Sequence, residues 1–187
     1  MFTVNRRWRK RSELGAEVET GELLYGIVRL AKPELCAETG TGHGDTAFYI
    51  ATALGENGAG HLHTAETDPD SIVLAREHLR NLPATVHATK GIDLIRSIGT
   101  PIDFAFIDSW WVPVRIEEIE AIHPKMSSHG ILVLHDTCQN YGNVHDRVLE
   151  LTHWQHLVFQ TPYGVSVFQK GPPDFSYRGR MVDLRPL

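Results

Sequence analysis

The sequence predicts a doubly wound α/β fold: a mostly parallel, seven-stranded sheet closed by a C-terminal antiparallel hairpin. Two observations predict it. Short apolar runs of strand length alternate with helix-period stretches, the pattern of crossover units layered on a parallel sheet. Acidic residues then recur where those strands end, at Glu38, Glu66, Asp108 and Asp136. In such sheets ligands bind outside the carboxyl ends of the strands, so the convergence marks a ligand crevice. A chain of 187 residues is expected to form one domain, with residues 1–16 a basic arm and 171–187 a tail of little core potential.

The elements follow in order. Thr20 is placed to cap a first helix whose apolar face is Leu23, Leu24, Ile27, Val28 and Ala31, with Pro33 as its stop. Residues 35–38 form the first strand and enter the turn Gly40-Thr41-Gly42-His43-Gly44. The next helix carries Ala47, Ile50, Ala51 and Leu54 and ends between Gly55 and Gly60. Residues 61–66 are the second strand, and Pro69 opens a helix through Leu79, since proline suits a first helical turn. A short third strand, 84–88, precedes a brief helix at 94–98. The fourth strand, 102–107, ends at Asp108 and leads to a helix at 114–123. The fifth, 131–134, ends at His135-Asp136. A helix at 144–151, a strand at 156–160, the turn Pro162-Tyr163-Gly164 and a last strand at 165–169 complete the hairpin.

Composition narrows the function. The net charge of −5 argues against a generic nucleic-acid binder. Arg6, Arg7, Arg9, Lys10 and Arg11 crowd the start of the chain, as a solvated arm or as a contact for an anionic substrate or partner. No apolar run follows them, so they read as no secretory signal. No stretch approaches the roughly 18 apolar residues of a membrane span. Cys36 and Cys138 form no CxxC pair, which argues against a zinc site or disulfide framework and fits a reducing, cytoplasmic setting.

The glycine turn carries the chemistry. Glycines let a backbone turn sharply and approach a ligand without Cβ clashes. A dinucleotide site wants GxGxxG, with pyrophosphate on the helix N-terminus. Here the spacing is GxGxG, and Glu38 precedes the first glycine by two residues. An acid there repels pyrophosphate and suits a cationic ligand, such as an amino acid bearing a sulfonium. The segment 38–44 thus resembles the first motif of the class I S-adenosylmethionine-dependent methyltransferases, whose fold is Rossmann-like.

That resemblance, which spans about residues 20–170, implies a cofactor site. Gly40, Thr41, Gly42 and Gly44 would line the methionine and ribose portion of S-adenosylmethionine, with Glu38 acting at the amino end or through water. Glu66 matches the family's ribose-binding acid; one carboxylate can accept from both ribose hydroxyls. Gly91, Ile92 and Asp93 fall where the family places adenine contacts, with Asp93 toward the amino group and Ile92 toward the ring face.

Residues 103–110 resemble the fourth-strand motif of catechol O-methyltransferase-like enzymes, where an acid at the Asp108 position binds a divalent metal as well as standing beside the cofactor. Residues 132–137 resemble the matching fifth-strand segment, which makes Asp136 a second ligand and His135 a third ligand or a base. The implied activity is methyl transfer to a hydroxyl of a small-molecule acceptor, with Mg²⁺ or another divalent metal lowering the hydroxyl's pKa. The sequence departs from the pattern twice: Trp111 stands where those enzymes carry a lysine base, and Thr137 where they carry an asparagine ligand. Trp110 and Trp111 either wall an apolar acceptor or pack under the following helix. The short N-terminal extension leaves the acceptor lid scant or borrowed from a second subunit of a homodimer. Two other readings stand beside this one, a cofactor-binding protein without transfer activity and a Rossmann-type oxidoreductase.

Overall fold

The computed structural model describes residues 8–12, 15–138, 142–151 and 154–171. Arg6, Arg7 and the tail at 172–187 lie outside them. Helix α1 (Val18–Ala31) leads into β1 (Leu35–Thr39), α2 (Asp45–Asn57), β2 (His61–Glu66), α3 (Pro69–His78) and β3 (Ala84–Ala88). Then come α4 (Gly91–Ser97), β4 (Ile102–Ile107), α5 (Val112–Ile122), a single 3-10 turn, β5 (Met126–His135), α6 (Gly142–Leu151), β6 (Trp154–Phe159) and β7 (Val165–Lys170).

The strands form one seven-stranded sheet in the order β3-β2-β1-β4-β5-β7-β6. Pairing is parallel from β3 through β5 and antiparallel where β7 joins β5 and β6, as the sequence predicts. The order reverses between β1 and β4, so a crevice opens between the loops that follow them. Period-two alternation fills both faces of the sheet. On β4, Phe104 and Phe106 join the core under α1 and α2, whereas Ala105 and Ile107 join the core under α5 and α6. On β5, Val133 faces the first core, and Leu132 and Leu134 face the second.

Three local expectations change. Thr20 does not cap α1; Glu17 occupies the N-cap, and the Thr20 hydroxyl donates back to its carboxylate at 2.9 Å. Helix α4 starts at Gly91, which places Gly91, Ile92 and Asp93 in its first turn. Strand β5 begins at Met126, which pairs with Ile102 ahead of an irregular stretch, residues 127–130, that carries no apolar pattern. Four residues lie between Met126 and Ile131, against one between their β4 partners Ile102 and Phe104, so the register shifts there.

The described part of the arm is docked. The Arg9 guanidinium meets Glu19 at 3.1 Å and Glu22 at 3.3 Å. Arg11 lies over the Tyr49 and Phe48 rings, at 5.1 and 5.6 Å from their centroids. Among the described residues, no helix is long and apolar enough to cross a membrane.

Candidate active site

Each acid that ends a strand takes a different role in the crevice. Glu38 is fully buried one residue before the end of β1. It accepts from the Thr46 hydroxyl at 2.7 Å and from the Thr64 hydroxyl, which also bonds Thr41. Burial pushes its carboxyl up to about 7 against those hydrogen bonds, and the charges of Asp108 and Glu66 add to the rise. Glu66, at the end of β2, gathers backbone donors instead. Its Oε2 accepts from the Gly42 N–H at 2.8 Å, and its Oε1 accepts from Thr67 and Asp68 at 2.7 and 3.0 Å. One carboxylate thereby anchors the glycine turn to the start of the next crossover.

The three glycines of the turn serve different ends. All have positive φ, which favours glycine. A Cβ on Gly40 would lie 2.4 Å from the Asp108 carbonyl oxygen, so the β1 and β4 loops touch there because no side chain intervenes. A Cβ on Gly44 would press on Ala75 of α3 at 3.3 Å. A Cβ on Gly42 would meet nothing within 4 Å. Gly42 is therefore the one of the three whose α-carbon borders open space. A shallow cleft lies between the arm, α1 and α2, with Ala16, Glu17, Gly21, Asp45, Thr46 and Tyr49 on its walls.

At the other predicted contact, a Cβ on Gly91 would fall 2.1 Å from Glu118 Oε1. Glu118 reaches from α5 to accept from the Thr39 and Ser109 hydroxyls, each at 2.9 Å, and burial raises its carboxyl to about 7. Ile92 is buried and Asp93 is exposed.

The second cluster sits at the ends of β4 and β5. Strand β5 stops at His135, and Asp136 takes a left-handed φ of 53°, a conformation aspartate tolerates. That turn brings Asp136 beside Asp108. His135 lies between the acids: its Nδ1 is 3.1 Å from Asp108 Oδ1 and 3.4 Å from Asp136 Oδ1. Its Nε2 is 2.8 Å from Oε2 of Glu17, a buried residue at the start of α1. Burial alone would lower the His135 pKa, but the charge and hydrogen bond of Asp108, the bond to Glu17 and the charge of Asp136 outweigh it and hold it at about 10. The same contact brings the Glu17 carboxyl to about 2 against its own burial. Arg115, buried on α5, donates to the His135 carbonyl at 2.8 Å and locks the end of the strand.

This arrangement answers the repulsion expected between Asp108 and Asp136. Without a metal, an imidazolium supplies the positive charge between them. One ligand atom from each of Asp108, His135 and Asp136 lies within 4.8 Å of the others, a set of two carboxylate oxygens and an imidazole nitrogen that fits a divalent cation. Thr137 does not extend the set, because its hydroxyl accepts from Ser166 at 2.8 Å. Trp110 and Trp111 project into solvent beside Asp108, 91% and 63% exposed, so neither packs under α5.

Glu17, Arg115 and Glu118 are not singled out by sequence patterning. Arg115 and Glu118 carried a signal all the same: they share the buried face of α5 with Ile119 and Ile122, where charged residues need partners. Glu17 carried none, since its partner is 118 residues away.

Comparison with known proteins identifies the fold and the family. A superposable fold occurs in the O-methyltransferase TomG from Streptomyces achromogenes, involved in tomaymycin synthesis and solved with S-adenosylmethionine: 17% identity, TM-score 0.73, covering 86% of this chain and 83% of that one. It also occurs in an O-methyltransferase from Bacillus cereus solved with S-adenosylhomocysteine: 17% identity, TM-score 0.69, covering 85% and 84%. An rRNA methylase from Streptococcus thermophilus shares it too, with 14% identity, a TM-score of 0.66, and coverage of 82% and 95%. The fold by itself therefore does not choose the acceptor. No curated protein matches the sequence. The profile of the methyltransferase domain family matches residues 37–137, from β1 through the Asp108–His135–Asp136 cluster. The chain belongs to the methyltransferase domain family.

Proposed function

We propose that this methyltransferase uses S-adenosylmethionine to methylate a hydroxyl of a small molecule, with a divalent metal held by Asp108, His135 and Asp136. The observation that carries this reading is the pairing, across the switch point of the sheet, of a glycine turn open at Gly42 with a two-acid, one-histidine cluster.

S-adenosylmethionine would supply an activated methyl group, and a metal would supply the positive charge that makes a bound hydroxyl acidic. The chain's own residues do the rest. Glu66 holds the Gly42 N–H at 2.8 Å and so fixes the turn against which the ribose would lie. Three of its roughly four acceptor positions are taken by backbone, and the remainder is available to a ribose hydroxyl. Glu38, buried behind the turn, sets a negative potential suited to a cationic ligand. Both ring nitrogens of His135 are engaged by carboxylates and its pKa stands at about 10 in the metal-free chain, too high for a general base at neutral pH. A divalent ion held beside Asp108 and Asp136 would displace the Nδ1 proton and take that nitrogen as a ligand. Trp110 and Trp111 offer exposed aromatic surface beside Asp108 for an apolar or aromatic acceptor.

Two measurements test this. Calorimetry should detect S-adenosylhomocysteine and no NAD; the reverse would make the chain an oxidoreductase. Methyl transfer to a panel of hydroxylated small molecules should stop after exhaustive chelation and return with added Mn²⁺ or Mg²⁺. Full activity without metal removes the metal role. Cofactor binding with no transfer to any acceptor favours a binding protein.

A further inference from the structure

We propose that Glu17 is a positioning residue for the metal-binding site: it holds His135 so that Nδ1 faces Asp108 and Asp136, and thereby favours a nitrogen-accepting divalent ion over Mg²⁺. The inference rests on the metal-assisted reading above and assigns a role to a residue outside the strand-end motifs.

The geometry is specific. A neutral imidazole ligates through one nitrogen and keeps its proton on the other. His135 Nδ1 lies within reach of both aspartates, so a metal held by all three must take Nδ1, and the proton must remain on Nε2. Nε2 is where Glu17 accepts, at 2.8 Å. A carboxylate behind a ligating histidine fixes the ring's tautomer and rotation and raises its basicity. Glu17 is itself held: its Oε2 accepts from the Thr20 hydroxyl at 2.9 Å, and its backbone oxygen accepts from the Thr20 N–H at 3.0 Å. The residue is 1% exposed, and its Oε1 has no hydrogen-bond partner among the described residues. Burying a carboxylate this way is costly unless it is paired. A surface cap made of Ser or Asp would have served α1 better. The position is explained by what Glu17 does for His135, not by what it does for the helix.

Preference follows from donor type. Mg²⁺ takes oxygen ligands, and the two aspartates with water suffice for it. Mn²⁺ and Zn²⁺ accept an imidazole nitrogen as well, so only for them does the orientation of His135 matter.

The test uses the full chain and reads metal binding rather than turnover. Mn²⁺ and Mg²⁺ affinities are measured by calorimetry for the wild type, Glu17→Gln and Glu17→Ala. Electron spin echo spectra of bound Mn²⁺ report modulation from a directly bound imidazole ¹⁴N. We expect Glu17→Ala to weaken Mn²⁺ about 10–100-fold, the range for loss of a partner behind a ligand, with reduced ¹⁴N modulation. Glu17→Gln, whose amide oxygen can still accept from Nε2–H, should recover part of the loss. Mg²⁺ affinity should move by less than about 3-fold. Unchanged Mn²⁺ affinity in Glu17→Ala overturns the proposal, as does an equal loss of both metals with ¹⁴N modulation intact. If the variants do not fold, the wild type still decides. On adding Zn²⁺ to ¹⁵N-labelled protein, the His135 Nδ1 resonance should shift while Nε2 keeps its proton; metal on Nε2, or no histidine shift, refutes it. Failure of the parent readings is seen separately: a wild type that binds no Mn²⁺ removes the metal site, and one that binds no S-adenosylhomocysteine removes the cofactor assignment.

Discussion

Replacing Glu38 with glutamine should stabilise the metal-free, cofactor-free protein, and only at the alkaline end of its range. Glu38 is completely buried, and its carboxyl titrates near 7 in the folded chain against an ordinary value of 4.5. Below pH 4.5 the group is neutral in both folded and unfolded chains and contributes nothing. Between pH 4.5 and about 7 the unfolded chain loses its proton while the folded chain keeps it, so stability falls as pH rises. Above about 7 both states are ionised, and the penalty is constant. At about 1.4 kcal/mol per pH unit, the interval amounts to roughly 3 kcal/mol. Glutamine keeps the shape and removes the charge. The Thr46 and Thr64 hydroxyls can each donate or accept, so both can remain bonded to the amide. Glu118 titrates over the same window, which is why the variant must be compared with the wild type at each pH. Urea unfolding at pH 5, 6, 7 and 8 should show a gap that is small at pH 5 and reaches about 3 kcal/mol at pH 8. A gap independent of pH, or one that favours the wild type at pH 8, would refute the reasoning. If Glu38 serves the amino end of S-adenosylmethionine, directly or through water, the stabilised variant should bind the cofactor more weakly, because the buried negative charge is gone.

Three further outcomes are expected. Glu66→Ala should weaken S-adenosylhomocysteine by about 1–3 kcal/mol, the scale of a hydrogen bond to a charged group, and unchanged affinity by calorimetry would take Glu66 out of the site. Gly42→Ala should lose cofactor affinity with only about 1 kcal/mol of backbone strain, whereas Gly40→Ala, with its Cβ 2.4 Å from the Asp108 carbonyl oxygen, should lower thermal stability more; normal binding by Gly42→Ala would mean that the open space is not the ligand's. His135→Ala should destabilise the metal-free protein by about 3–5 kcal/mol at neutral pH, since it strips the cation from Glu17, Asp108 and Asp136, and a denaturation midpoint that does not move would show the acids to be adequately solvated without it.

Much of the fold was legible because its punctuation is local. Strands β2, β3 and β4 fall on the predicted residues, each bounded by glycine or proline: Gly60 before β2, Pro83 before β3, Pro101 before β4. The first half of β5 was not legible, because Ser127, Ser128 and His129 carry no apolar pattern and the register with β4 shifts across them. Among the site residues, Glu38, Glu66, Asp108 and Asp136 could be placed because a strand end is a local event. Their division of labour could not be read. That Glu38 is satisfied by threonines and Glu66 by backbone amides depends on side chains brought in from α2, β2 and the turn after it. His135 was legible as a ligand or base, but not as the cation that lies between three acids, because one of those acids belongs to α1.

The contact between Glu17 and His135 also bears on the order in which the chain can be assembled. Helices and strands from α1 to β3 leave the ribosome first and can pack among themselves, yet the partner of Glu17 follows 118 residues later. Until β5 has paired with β4, the N-terminal end of α1 carries a carboxylate with no cation to bury it against, so that end has no reason to dock. Nascent or truncated chains ending before residue 135 should therefore leave the entrance to α1 open to proteases while α1 itself is already packed on α2. The Asp108–His135–Asp136 cluster can close against Glu17 only once β5 is in place, and that closure reports that synthesis has passed β5.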